Sequence, residues 1–229
     1  AVNLMNMGIN QSEGTKHIDI IIHIARNRYS VKYYLDGGHF ASDYNTLHTA
    51  SDGRTQKKNP TSVTDGGDVG YTNSYFYVEH PMKLGYTFKG WNITEMDNDT
   101  HCIAVSSGVY YCNTASVNTL TTAGLKDSTY IPYSFKSLRK TAGTVSFSAL
   151  FLPNVYRVKY HGNGAVSGQM TDTEFKYNTE GNLAANSYVR TGYKFLGWST
   201  NKNAAKPEYI NGQSVKNLTS KADAIVTLY

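Results

Sequence analysis

One seven-residue pattern, Gly-Tyr-x-Phe-x-Gly-Trp, occurs twice in this chain and limits what it can become: Gly85-Tyr86-Thr87-Phe88-Lys89-Gly90-Trp91 and Gly192-Tyr193-Lys194-Phe195-Leu196-Gly197-Trp198. The two stretches hold both tryptophans of the 229-residue sequence. In an extended strand Tyr86 and Phe88 share a face, whereas Trp91 has the opposite parity. A bulge at Gly90 supplies one extra residue and returns Trp91 to the Tyr/Phe side. The same reasoning covers Tyr193, Phe195, Gly197 and Trp198. Each stretch predicts the aromatic centre of a small β-rich core, so at least two such cores are expected.

The chain repeats itself around these motifs. A strand is expected from Tyr29 to Leu35, with Tyr29, Val31, Tyr33 and Leu35 on one face. Another precedes it, with Ile18, Ile20, Ile22 and Ile24 on one face. Residues 18–34 align without a gap on residues 145–161, an offset of 127 (145 − 18). Within this match Asn27, Tyr29, Val31 and Tyr33 correspond to Asn154, Tyr156, Val158 and Tyr160, and just beyond it Asp36-Gly37 corresponds to Asn163-Gly164. A gap-free match through two strand patterns and their link marks an internal repeat. The aromatic motifs are offset by 107 (193 − 86) and the closing strands by 81 (226 − 145). The first copy therefore holds 20 (127 − 107) extra residues before its aromatic motif and 26 (107 − 81) after it.

The expected organisation is the end of a preceding repeat or a linker over 1–28, an enlarged module over 29–154, and a compact module over 155–229. The insertions fall within about 39–75 and 92–140. They are expected to be surface excursions, where a scaffold carries specific function. The pattern is already running at the first residue and stops in mid-strand at Tyr229, which reads as a piece of a longer protein. The four-residue links Ala25-Arg26-Asn27-Arg28 and Leu152-Pro153-Asn154-Val155 predict a semi-rigid rod.

Composition narrows the class. Charged residues are only 17%, tyrosines number 19, and no run sustains helical periodicity, so the reading is mainly β. The net charge of +5 comes from scattered Lys and Arg, densest at Arg54 to Lys58. No basic stripe aligned with aromatic platforms is present, so nucleic acid is not an expected partner. No stretch approaches the roughly 20 apolar residues of a membrane span.

Cys102 and Cys112 flank Ile103-Ala104-Val105, a Ser-Ser-Gly turn and Val109-Tyr110-Tyr111, which predicts a hairpin. A disulfide closing that hairpin and two free thiols both fit. His101 and Cys102 are adjacent, so a strand sends them to opposite faces and no thiol–base pair is expected. The histidines lack zinc-ligand spacing, and Asp97-Asn98-Asp99 and Asp65 to Asp68 read as turns, so no metal or cofactor is expected. Tyr75 and Tyr77, near Tyr71 and Phe76, and the pair Tyr110 and Tyr111 are the candidate ligand-binding aromatics. Exposed, they would stack on sugar rings or anchor a protein; buried, they would extend the core of the enlarged module.

The order of signals is a strand ending in a Gly turn (VKYYLDGG; VKYHGNGA), the aromatic motif, and a closing strand (TVSFSALF; AIVTLY). This order resembles the Listeria–Bacteroides repeat, the family that includes the B-repeat of listerial internalins. The likeness covers about 70 residues of the compact copy and the ends and middle of the enlarged one. Phe151 stands where the family commonly has Trp. The resemblance implies a small β-grasp-like fold, a twisted sheet with one short helix at most. It implies modules of secreted or wall-attached bacterial surface proteins that act as stalks, spacers and adhesive segments, without catalytic residues. Tyr86, Phe88, Trp91, Tyr193, Phe195 and Trp198 match its aromatic motif and are read as core. The partners it implies are a host or cell-surface protein or glycan and neighbouring repeats of the same protein. The alternative is a carbohydrate-binding module beside a catalytic domain outside this chain.

Overall fold

The computed structural model describes residues 25–49, 53, 55–64, 75–95, 102–106, 108–112, 134–136 and 138–229. The expected strand at Ile18 to Ile24 lies outside them. In chain order the strands are β1 (Arg28–Tyr34), β2 (Thr46–Thr49), β3 (Thr55–Lys58), β4 (Ser62–Thr64), β5 (Tyr75–Tyr77), β6 (Tyr86–Thr94), β7 (Cys102–Ser106) and β8 (Gly108–Cys112). They continue as β9 (Ser134–Lys136), β10 (Gly143–Pro153), β11 (Val155–Tyr160), β12 (Thr173–Lys176), β13 (Gly181–Asn182), β14 (Ser214–Val215) and β15 (Ile225–Leu228). The fold is mainly β, and no helix occurs among the described residues.

Each copy is built on a parallel pair made by its opening and closing strands. β1 lies beside β10 with Val31 opposite Val145 and Tyr33 opposite Phe147. β11 lies beside β15 with Val158 opposite Val226 and Tyr160 opposite Leu228. Under the sequence offsets these are the same pairs, so both copies share one register. A parallel pair needs a long crossover, and the aromatic motif and both insertions lie in it. Antiparallel edges flank the pair, giving sheet orders β4-β1-β10-β6 and β12-β11-β15.

The expected bulge is present in the first copy. Along β10 the ladder steps from Leu150 opposite Gly90 to Phe151 opposite Phe88, skipping Lys89, with Gly90 at φ +135°. A positive φ there suits glycine and kinks the strand. Phe88 and Trp91 then meet edge to face at 5.1 Å, and Trp91 is 2% exposed.

The insertions do more than the expected surface excursions. Segments from both of them form a second sheet in the order β2-β3-β5-β9. Phe76, Val78, Phe135 and Leu138 bury against Tyr29, Val145 and Phe147 of the first sheet. The Phe135 ring stands edge-on to Phe147 at 5.1 Å. A sheet face left open would expose these apolar side chains, and burying each aromatic is worth about 4–6 kcal/mol at ~25 cal/mol per Å2. In place of this cover the compact copy has only the two-stranded pair β13–β14. Its smaller core of Tyr156, Val158, Tyr160, Phe175, Leu183, Trp198, Val215 and Leu228 is closed by that pair, which brings in Val215, and by turns. Asn163, Asn178, Asn217 and Asp223 take positive φ in those turns, which their short polar side chains tolerate.

Candidate functional site

Three regions hold functional groups. The first is the link between the copies. β10 and β11 are separated by Asn154 alone. Its N–H donates to the Gly85 carbonyl at 2.9 Å and its carbonyl accepts from the Tyr177 N–H at 2.8 Å. Its side chain joins the two copies, Oδ1 accepting from Thr87 Oγ1 at 2.6 Å and Nδ2 donating to the Ser220 carbonyl at 2.7 Å. Asn27, its repeat counterpart, donates to the Lys140 carbonyl at 2.8 Å. Tyr177 packs edge-on to Tyr86 at 5.8 Å, and its ring lies 2.2 Å from where a Cβ on Gly85 would stand. Tyr86 therefore faces the junction rather than the core where the motif reading put it: the next module supplies its apolar neighbour.

The second region is a groove of about 360 Å3 in the compact copy, lined among others by Ala165, Tyr188, Arg190, Tyr193, Phe195 and Trp198. Trp198 is 1% exposed and Phe195 meets it edge-on at 4.8 Å. Tyr193 was expected in the core, yet it is 68% exposed. The reason is that 193–197 is not a strand here and pairing begins only at the Trp198–Tyr209 bridge, so no ladder turns Tyr193 inward. The Arg190 guanidinium lies 4.0 Å from the Tyr193 ring, a cation–π contact. Lys83 does the same over Tyr86 at 4.4 Å, so the cation precedes the aromatic motif in both copies. That cation was legible in KLGY and RTGY and was missed.

The third region is the insertion sheet. Tyr77 is half-buried under His48, their rings stacked at 3.9 Å. Tyr75 lies opposite Lys136, and Tyr110 and Tyr111 lie opposite Ala104 and Ile103 in the hairpin β7–β8. The structure thus spreads the four candidate tyrosines over two sheets. Beside Tyr77, Glu79 accepts from the Ser42 N–H at 3.0 Å, Ser42 Oγ at 2.9 Å and Asn59 Nδ2 at 3.1 Å, and pairs with Lys58 at 2.5 Å. Burial alone would raise the Glu79 pKa, but hydrogen bonds from Lys58, Asn59 and Ser42 outweigh it and hold the carboxyl below its usual range. Burial first, then the Lys58 charge, lowers the His48 pKa against the pull of Glu79. With its acceptors filled, Glu79 clamps the fully buried Asn59 bend to β5 rather than facing a substrate.

The hairpin places Cys102 opposite Cys112. His101, Asp65 to Asp68 and Asp97 to Asp99 lie outside the described residues. Among the described residues no three His, Cys, Asp or Glu side chains converge to hold a metal, and no helix is long and apolar enough to cross a membrane. The groove offers amides, cations and rings, with no Asp or Glu among the described residues that line it. That chemistry can bind and stack.

Comparison with known proteins matches the profile described as Listeria-Bacteroides repeat domain to residues 29–108 and 156–229. A Gly-rich membrane protein of Evansella cellulosilytica is 30% identical over 151 residues, which cover 64% of this chain and 14% of that protein. This chain therefore spans a small part of that relative's length. No solved structure matches.

Proposed function

Because this chain belongs to the Listeria-Bacteroides repeat domain family of bacterial surface proteins, we propose that it is a non-enzymatic stalk and adhesion segment of such a protein, working outside the cell. The observation that carries this reading is the junction at Asn154, where both backbone groups and both side-chain ends are hydrogen-bonded across or beside the link. A flexible tether would leave those groups to water. A spacer needs modules held at one angle, and the Tyr86–Tyr177 contact supports that. Partners in this reading are neighbouring repeats and a protein or glycan on another surface. In an oxidising exterior, Cys102 and Cys112 would join and close their hairpin.

Residual dipolar couplings test the spacer. Both modules of the native chain should fit one alignment tensor, whereas a Gly85→Ala/Asn154→Ala double variant should need two. Two tensors for the native chain would sink the reading.

A second reading, sugar binding by the insertion aromatics, is favoured by Tyr77, which alternates with buried Phe76. His48 stacks against the Tyr77 ring, which weighs against a free stacking face. A glycan array with native, Tyr77→Ala and Tyr110→Ala proteins separates the two. A specific hit lost in either variant replaces the spacer as the main role; silence sends the search to protein partners.

A further inference from the structure

We propose that the parallel pair β1–β10 is a lock against tension, so that the enlarged module bears load along the chain as well as setting a distance. That tension travels through the chain rests on the stalk reading; the lock itself rests on strand geometry.

The chain enters the module at Arg28, the start of β1, and leaves it at Pro153, the end of β10. The two strands are neighbours and parallel, so entry and exit lie at opposite ends of the pair. A pull on both drags β1 and β10 lengthwise past each other. The positions from Tyr29 opposite Gly143 to Tyr34 opposite Ser148 then share the load. In an antiparallel pair, entry and exit would lie at one end, and the same pull would open the ladder rung by rung. The exit half of β10 is held on its other side by β6, as far as Tyr86 opposite Pro153, which spreads the load into the sheet. Beyond Pro153 the chain passes through Asn154 alone into β11, which is again parallel to its partner β15.

The pair is also built against creep. A slip of one residue, about 3.3 Å, would put the core side chains of β1 on the wrong face. Those side chains, Tyr29 at 1% and Val31 at 4% exposure, share one core with Val145 and Phe147 of β10. Two further bonds tie the entering strand to the segment that leads into β10. The Tyr29 hydroxyl accepts from the Leu138 N–H at 2.9 Å, and Asn27, just before β1, donates to the Lys140 carbonyl at 2.8 Å. The compact copy repeats both ties: Tyr156 accepts from the Leu218 N–H at 3.3 Å, and Asn154 donates to the Ser220 carbonyl at 2.7 Å. The insertions thus enlarge the first copy without altering the route that tension takes through it.

Forced unfolding follows the barrier along the pulling direction, not the equilibrium stability, so direction is the variable to test. In the full chain carrying Cys102→Ser and Cys112→Ser, handles are attached at two exposed positions. Arg28→Cys with Arg157→Cys loads the pair lengthwise, whereas Arg28→Cys with Ala142→Cys peels the same strands from one end. Optical tweezers at one pulling rate should show lengthwise rupture in a single event, at about twice the peeling force or more. Both handle pairs report on one fold, so such a difference does not come from stability. Equal forces, or lengthwise release in small steps at the peeling force, overturn the lock. The dipolar couplings read the angle between modules and the tweezers read the interior of one, so either reading can fail without the other.

Discussion

The enlarged and compact modules share a parallel strand pair in one register, yet they cover it differently. The enlarged module lays a second sheet over the first and buries twelve hydrophobic residues among those described. The compact module closes its sheet with turns and the short β13–β14 pair and buries eight. At the other edge the two agree as far as both can be compared: Ser148 lies opposite Asn92, and their counterparts Tyr229 and Ser199 exchange both backbone hydrogen bonds. The paired strands set the fold, while the cover is free to vary. Stability margin should therefore differ between copies even where the motif residues are the same.

The tryptophans give the largest expected difference. Trp91→Ala and Trp198→Ala each remove a buried indole and should cost about 3–5 kcal/mol. A module of some 70 residues with one small core has only a few kcal/mol to lose. Trp198→Ala should unfold the compact module, and Trp91→Ala should leave the enlarged one folded but less stable. Calorimetry that resolves two transitions checks this. If both variants keep both transitions, the margins are not set by the insertion sheet.

A smaller contrast comes from two glycines with nearly the same backbone, Gly85 at φ +78° and Gly192 at φ +80°. Alanine at either position is strained by about 1 kcal/mol. Only at Gly85 does the new methyl meet the Tyr177 ring, whereas nothing lies within 4 Å at Gly192. Gly85→Ala should cost about 2–4 kcal/mol and loosen the junction; Gly192→Ala should cost the strain alone. Equal losses in urea denaturation would mean that Tyr177 adjusts freely and the link is softer than its hydrogen bonds indicate.

Much of this was legible in the sequence because strands advertise themselves by parity. The Tyr29, Val31, Tyr33 face, the bulge at Gly90 and the constant offsets led directly to the paired strands. Parity reports only which face a residue takes if it has a strand partner. For Tyr193 no strand lies alongside, and for Tyr86 the neighbour comes from the following module, so the two copies of the motif ended in different surroundings. The first insertion was read as an excursion because it is rich in Ser, Thr, Asp and Gly. Phe76 and Phe135 carry the burial, and two residues some sixty apart leave no periodic signal. The Glu79 clamp was equally invisible, since Ser42, Lys58, Asn59 and Glu79 meet only once the second sheet has folded.

That clamp predicts an acid response confined to the enlarged module. Glu79 has a folded pKa below its usual value, so its contribution is present above about pH 4.5 and is lost as pH falls through the folded pKa. His48 has a lowered pKa, so the neutral ring is favoured on folding; its contribution is full above about pH 6.5 and declines below it. The insertion sheet should weaken in two steps on acidification. Glu79→Gln places an amide against the donors of Ser42 and Lys58 and should cost about 1–2 kcal/mol at neutral pH while removing the lower step. Urea denaturation of both proteins across pH 3.5–7.5 reads this, and a native chain whose enlarged module shows flat stability over that range would show that the clamp is ornamental to folding.

The smallest effect separates the two motif tyrosines. Tyr86 touches Tyr177, lies under the Lys83 ammonium and accepts from Asn178 Nδ2 at 3.3 Å. Tyr193 touches the Arg190 guanidinium and is otherwise open to water. Tyr86→Ala should therefore cost about 1 kcal/mol, and Tyr193→Ala less than about 0.5 kcal/mol, the range of an exposed substitution. A loss at Tyr193 as large as at Tyr86 would place it in the core after all, and the difference between the two motif tyrosines would then not come from the junction with the following module.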